Sequence, residues 1–305
     1  MVNNNKMRFL LGIDGGGSKT EFLLTDLNGN EINRVVLGAS NPVNVGLENT
    51  CKILKDGINQ VCKEINLGEV SLFAGIAGGK TGNNNALVNN FLSDFCFGAF
   101  ANGSDTDSVL QIALKGEDGV AIIMGTGIVA FTQCDGECYR TSGWGYMVDK
   151  GGSGFCFGSD ALHSAFSCFD GSGGSNLIME LVENKLSKPL VDTVADIYSK
   201  GPSYVASFAP VVFEAYKEGD AEAEKIIDRN AHEAAKIINS ARRFLKNNYG
   251  TTVICGGLSK QKEILKPFLL KYIQDDIPII FSDEPTVNGA IALAKSNIQA
   301  GEKLC

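Results

Sequence analysis

One pattern occurs twice in this chain and limits its fold more than any other feature. Gly12-Ile13-Asp14-Gly15-Gly16-Gly17, a strand, the turn Asn28-Gly29 and a further strand are echoed later. The echo is Ala121-Ile122-Ile123-Met124-Gly125-Thr126-Gly127, a strand, the turn Asp135-Gly136 and a further strand. Each copy reads as strand, glycine loop, strand, turn, strand, and helical sequence follows each. Self-similarity of this kind predicts two related α/β lobes. A glycine run also frees backbone N–H groups to point at an anion, because no Cβ blocks the approach. Both loops are therefore candidate phosphate cradles.

The first loop is the richer one. Ser18 and Thr20 add hydroxyl donors, Lys19 adds a positive charge, and Asp14 supplies a hard oxygen suited to Mg²⁺ or its water shell. Gly12-x4-Gly17-Ser18-Lys19-Thr20 almost spells a P-loop, but one residue intrudes before the lysine. Moreover, the P-loop and the dinucleotide fingerprint both open a helix. Here Glu21–Asp26 runs at once into Asn28-Gly29, a hairpin signal. The expectation is a phosphate held on a β-hairpin. The plainer alternative, a tight turn with spare glycines, would need neither three glycines nor an Asp after the strand.

Between and after the hairpins the elements follow from periodicity. Ile53, Leu54, Ile58, Val61 and Ile65 form a helical stripe over 47–65, 70–77 reads as a strand and 85–97 as a helix. Ser104 is a plausible N-cap for a helix over 105–115. Helices are expected over 203–217 and 221–246, a strand over 251–255, and a strand over 278–282 before a closing helix over 287–294. The fold class is α/β, and the lobes are expected at 1–103 with 285–305 and at 104–284.

Composition narrows the partners. The chain has 305 residues, 44% of them hydrophobic, with 27 Lys plus Arg against 35 Asp plus Glu and a net charge of −8. This acidic balance argues against nucleic acid or an anionic membrane. The longest apolar run, 120–131, is broken by Gly125-Thr126-Gly127 and is too short to span a bilayer. Nine cysteines with no signal-peptide core upstream of the first strand fit a reducing, cytoplasmic setting. Cys134 and Cys138 flank a turn and read as a cross-strand thiol pair rather than a metal site.

Phosphoryl transfer to a hydroxyl needs a carboxylate to take or orient the alcohol proton, and donors or metal to meet phosphate charge. Asp105 and Asp107 open the helix before the second loop, where either could instead simply complement the helix dipole. Gly143-Trp144-Gly145-Tyr146-Met147-Val148-Asp149 puts the only Trp among glycines, a surface suited to a sugar face. Ser40-Asn41-Pro42 can offer an amide to a polar ligand or be a turn. Gly256-Gly257 after a strand allows close approach of a flat ligand, or a simple strand–helix turn.

On these residues the chain resembles the N-acetylglucosamine kinase and acyl-CoA-dehydratase activator ATPase family, of the actin-like and hexokinase-like ATPase superfamily. The resemblance covers about 11–294. It rests on Gly-Ile-Asp-Gly-Gly-Gly-Ser-Lys-Thr, the Gly-Thr-Gly loop, Gly-Trp-Gly…Gly-Ser-Gly, Gly-Gly-Leu and Pro285-x3-Gly289-Ala290. It implies two ribonuclease-H-like lobes with a nucleotide cleft between them, ATP and Mg²⁺ as cofactors, and an amino sugar such as N-acetylglucosamine or glucosamine as substrate.

Matched by position, Asp14 is the metal-associated acid and Asp105 the catalytic base. Gly15, Gly16, Gly17, Ser18, Lys19 and Thr20 form the first phosphate loop. Gly125, Thr126 and Gly127 form the second, and Gly256 and Gly257 the adenosine loop. Asn41, Asp105, Trp144, Gly145 and Asp149 are the sugar positions. A homodimer is the expected assembly. The segment departs from the kinase pattern Gly-Asp-Glu-Gly-Ser at Asp149-Lys150-Gly151-Gly152-Ser153, and Ile128 stands where Ser is usual, which bears on sugar identity. The alternative branch is an activator ATPase with an iron–sulfur cluster, although no cluster motif is recognisable among the cysteines.

Overall fold

The computed structural model describes residues 7–246, 250–274 and 278–302. They form two compact units, 1–116 with 284–305, and 117–283. The helix that begins at Asp105 thus falls in the first unit, a dozen residues beyond the boundary expected from the sequence.

The first unit is built on a five-stranded sheet of β1 (Phe9–Gly15), β2 (Lys19–Asp26), β3 (Glu31–Gly38), β4 (Val70–Ile76) and β5 (Ala99–Gly103), in the order β3-β2-β1-β4-β5. The three N-terminal strands are antiparallel, whereas β4 and β5 join in parallel. Four helices belong here, α1 (Pro42–Val45), α2 (Leu47–Val61), α3 (Asn84–Ser93) and α4 (Asp105–Leu114). So does the closing helix Thr286–Glu302.

Alternation along β1 decides what faces what. Leu11 and Ile13 pack with Phe22, Leu54, Ile58, Val88 and Leu92 of one layer. Leu10 faces the other way, against Val287, Ala290 and Ile291 of the closing helix. Gly12 and Asp14 share that second face. A Cβ on Gly12 would come within 2.9 Å of the Val287 carbonyl oxygen, so only glycine lets the closing helix lie this close. The same face therefore carries Asp14 toward the closing helix and α4.

The second unit repeats the scheme. Its strands are β6 (Gly119–Met124), β7 (Ile128–Cys134), β8 (Glu137–Ser142), β9 (Thr251–Cys255) and β10 (Ile279–Phe281). The order β8-β7-β6-β9-β10 matches the first sheet strand for strand, with the same antiparallel and parallel joins. Seven helices follow β8: α5 (Gly154–Phe169), α6 (Asn176–Leu186), α7 (Val194–Ser199), α8 (Pro202–Ala206), α9 (Ala209–Lys217), α10 (Ala221–Arg242) and α11 (Lys262–Leu270). Their core joins Val120, Ile122 and Met124 of β6 to Phe157, Phe213, Ile227 and Ala231.

The expected single helix over 203–217 is two pieces, because Pro210 has no N–H to give and its ring crowds the preceding turn. The closing helix is longer than expected. Strand β5 was not foreseen, since its sequence, Ala-Phe-Ala-Asn-Gly, carries neither alternation nor β-branched residues. Cys134 lies opposite Glu137, and Cys138 opposite Gln133. The two thiols therefore leave opposite faces of the ribbon and form no pair.

Candidate functional site

In the first unit the glycine loop joins β1 to β2, with Gly15 paired to Thr20 and Asp14 to Glu21. It is a hairpin, as its sequence implied. Gly16 donates its N–H to the Lys19 carbonyl at 2.9 Å and accepts from Ser40 N–H at 3.1 Å. The Gly15 carbonyl accepts from Ala77 N–H at 2.7 Å. Among the described residues, Gly17 and Ser18 then have amides outside the backbone network, as an anion cradle requires.

Gly15 has a second reason to be glycine. A Cβ there would fall 2.5 Å from Ser40 Oγ. Thr20 is fully buried, donates its hydroxyl to the Gly38 carbonyl at 2.7 Å and lies 2.8 Å from Ser40 Oγ. Its hydroxyl closes the hairpin onto the Ser40 loop rather than standing ready for an anion. Lys19 is exposed and pairs with Glu21 at 3.3 Å; Glu21 is also bound by Arg34.

Asp14 and Asp105 converge from β1 and from the first turn of α4. Burial chiefly raises the pKa of Asp14 to about 6, and the Asp105 and Glu21 carboxylates add to the rise while Lys19 opposes it. Burial also raises Asp105, with Asp107 adding repulsion against two backbone N–H groups that favour the charged form. The two acids of α4 divide their work. Asp107 accepts Ser104 N–H at 2.9 Å and takes the Lys80 ammonium at 2.8 Å, so it builds the helix start. Among the described residues Asp105 has no side-chain partner, only the backbone N–H groups of Thr106 and of its own residue.

Helix α4 reaches this position because Gly289 of the closing helix has no side chain. A Cβ there would lie 2.0 Å from the Ser108 carbonyl oxygen. Two half-buried carboxylates, with no cation in salt-bridge contact among the described residues, form a hard-oxygen donor set that fits Mg²⁺ or its water shell. Asn41 caps α1, its Oδ1 accepting Val43 N–H at 2.9 Å, and its Nδ2 remains for a ligand. Gly78, at φ +70°, lets the following loop close over that carboxamide.

In the second unit Gly125-Thr126-Gly127 joins β6 to β7. Gly125 N–H donates to the Gly127 carbonyl at 2.9 Å. The carbonyls of Gly125 and Thr126 accept from Gly154 and Phe155 N–H, at 2.7 and 3.0 Å, at the start of α5. With the carbonyls held on that side, the Thr126 and Gly127 amides have no backbone partner. A Cβ on Gly125 or Gly127 would meet nothing within 4 Å. The protein leaves this space open.

Beside the loop lies a cavity of about 430 Å³, with Thr126, Gly154, Ser203, Ser207, Pro210 and Gly257 among its walls. Gly256, at φ +95°, seats against the Met124 carbonyl, while Gly257 faces open space. Sequence reasoning found Gly257 but missed the wall from α8 and α9. Its only sequence trace is Ser203 and Ser207, one helical turn apart, just ahead of Pro210.

The Trp144 segment is exposed, with Trp144 at 66%, and the Arg140 guanidinium lies 4.7 Å from the indole ring centre. Asp149 accepts from Ser142 Oγ at 2.9 Å and from Gly145 N–H at 3.1 Å. Both oxygens therefore serve to shape the 142–149 turn that presents Trp144 and Gly145.

The sequence profile of the BadF/BadG/BcrA/BcrD ATPase family matches residues 11–292. The chain belongs to that family. Among curated relatives of this family member, an N-acetylmuramic acid/N-acetylglucosamine kinase from Clostridium acetobutylicum is 25% identical, over 95% of this chain and 99% of the relative. An N-acetyl-D-glucosamine kinase from Dictyostelium discoideum is 26% identical, over 88% and 91%. A solved structure of a candidate N-acetylglucosamine kinase from Porphyromonas gingivalis superposes with a TM-score of 0.76 at 16% identity, covering 95% of this chain and 99% of that one. The fold is that of the actin-like ATPases. No described helix is long and apolar enough to cross a membrane.

Proposed function

We propose that this family member is an ATP-dependent kinase that phosphorylates a hydroxyl of an amino sugar, N-acetylglucosamine or glucosamine being the first candidates. One observation carries the reading: Asp105 is a half-buried carboxylate without a side-chain partner among the described residues, beside Asp14, while its neighbour Asp107 is committed to capping the helix. Transfer to an alcohol needs a proton acceptor, a role that the Asp105 carboxylate is placed to fill. The whole-length likeness to amino-sugar kinases supports the same conclusion.

In this mechanism Asp105 orients the acceptor hydroxyl and takes its proton as the oxygen bonds to the γ-phosphorus. The bond from that phosphorus to the β,γ-bridging oxygen breaks, and ADP leaves with the electron pair. The raised pKa of Asp105 favours holding that proton until product departs. The amides of Gly17 and Ser18, and those of Thr126 and Gly127, offer donors to phosphate oxygens. Asp14 would hold Mg²⁺, which when bound offsets phosphate charge. The cavity beside Gly257 takes the adenosine. Asn41 Nδ2, Trp144 and Gly145 address the sugar, with Asp149 fixing the turn that carries the last two.

The reading includes a homodimer in a cytoplasmic setting. The whole-length likeness to amino-sugar kinases favours this branch over the activator-ATPase alternative. The test is ADP release with MgATP across N-acetylglucosamine, glucosamine, N-acetylmannosamine, glucose and no sugar. Stimulation by an amino sugar is expected. Hydrolysis at one rate across the whole panel would overturn the reading.

A further inference from the structure

Where the kinase pattern carries its two acids, this chain has Lys150-Gly151, and Gly151 and the Gly152 that follows are both there for contact. A Cβ on Gly151 would lie 2.4 Å from Glu233 Cβ, and one on Gly152, at φ +75°, would lie 2.7 Å from Ala234 Cβ. The segment is thus laid flat on α10. At that point α10 carries a polar residue in an apolar stripe. Asn230 is only 2% exposed, among Ala223, Ile226, Ile227, Ala231, Ala234 and Ile238. Burying a carboxamide costs free energy unless its groups are met.

Every group of Asn230 is met. Its Oδ1 accepts Gly152 N–H at 3.0 Å. Its Nδ2 donates to the Ile226 carbonyl at 3.0 Å and to Asp160 Oδ2 of α5 at 2.7 Å. The other Asp160 oxygen is held by Arg229 at 2.9 Å. One residue past Gly152, Ser153 Oγ accepts Cys156 N–H at 3.1 Å and starts α5. The next two amides, Gly154 and Phe155, are those that grip the carbonyls of Gly125 and Thr126. A continuous line of hydrogen bonds therefore runs from α10 to the second glycine loop.

We propose that Asn230, oriented by Asp160, is a positioning residue for the Gly125–Gly127 loop. It fixes the Gly152 amide, hence the register of Ser153–Phe155, hence the orientation of the Thr126 and Gly127 N–H groups toward a nucleotide. The inference rests on reading that loop as a phosphate cradle. It does not depend on which acceptor is phosphorylated.

The test is an exchange of the two side chains. Asn230→Asp sets a carboxylate against Asp160 and removes the donor between them. Adding Asp160→Asn restores a donor–acceptor pair in reversed polarity and keeps an acceptor for Gly152 N–H. ATP affinity is measured without sugar, alongside melting temperature, for each single variant and the double. Asn230→Asp is expected to weaken ATP binding at least about tenfold, as a small misplacement of binding groups does. The double variant is expected to recover part of that loss, falling short of the parent because the Ile226 carbonyl still lacks its donor.

A merely structural role would lower the melting temperature and leave the ATP constant of the folded protein unchanged. That result, or a double variant binding ATP no better than Asn230→Asp, overturns the proposal. Should Asn230→Asp not fold, Asn230→Ala replaces it: weakened ATP binding supports the proposal and parental affinity overturns it. A parent protein that binds ATP but shows no sugar-dependent turnover sinks the amino-sugar kinase reading and leaves this test intact.

Discussion

The two sheets share one strand order, yet their glycine loops are glycine for different reasons. In the first hairpin a Cβ on Gly15 would strike Ser40, the Thr20 hydroxyl is spoken for, and only Gly17 and Ser18 keep unpaired amides. In the second, Gly125 and Gly127 meet nothing at all, while α5 holds the loop by its carbonyls. The first loop is a piece of packed architecture beside two acids. The second is an open cradle beside a cavity. Equal sequence signals can thus serve packing in one copy and ligand access in the other.

The sharpest way to break this division is at the acids. Asp105→Asn should cut sugar-dependent turnover by about a thousandfold, within the range seen for general-base removal, while ATP binding persists. Retention of full turnover would remove Asp105 from its role. The glycines come next. Gly15→Ala should lower stability by roughly 1–3 kcal/mol through overpacking, visible as a lower melting temperature. Gly127→Ala, at a position of ordinary φ, should leave the melting temperature nearly unchanged and weaken ATP binding by about tenfold. The reverse pattern would erase the contrast between the loops.

Much of this was legible in the sequence. The repeat gave the three consecutive antiparallel strands of each sheet, because apolar strands broken by glycines and Asn-Gly or Asp-Gly turns are local signals, whereas the parallel partners of each sheet lay outside it. From the residues alone Asp105 was legible only as one of two acids; the resemblance singled it out, and Lys80 and the Ser104 amide on Asp107 supply the physical reason. The cavity wall from Ser203 to Pro210 was not legible, because long-range packing of α8 and α9 creates it. Thr20 was misjudged as an available donor for a similar reason: its partners, Gly38 and Ser40, are eighteen and twenty residues away.

Titration separates the units further. In metal-free protein Asp14 has a folded pKa of about 6 against 3.8 for the free side chain. The folded state therefore binds the proton more tightly, and stability falls as pH rises from about 4 through 6. The cost at pH 7 is on the order of 3 kcal/mol. Asp14→Asn should raise the metal-free melting temperature at pH 7 and flatten its dependence on pH between 4 and 7. An unchanged pH profile would show that Asp14 is not the strained group. The smallest effect belongs to Lys19→Ala, which should cost less than about 1 kcal/mol because Glu21 retains Arg34.

The central claim is that phosphate goes to a sugar hydroxyl and not to water. Phosphorus NMR of a reaction with MgATP and N-acetylglucosamine, repeated with glucosamine, reads this directly. A new sugar phosphomonoester resonance growing in step with ADP is expected for at least one of the two sugars. Accumulation of inorganic phosphate alone, with both sugars left unmodified, would contradict it.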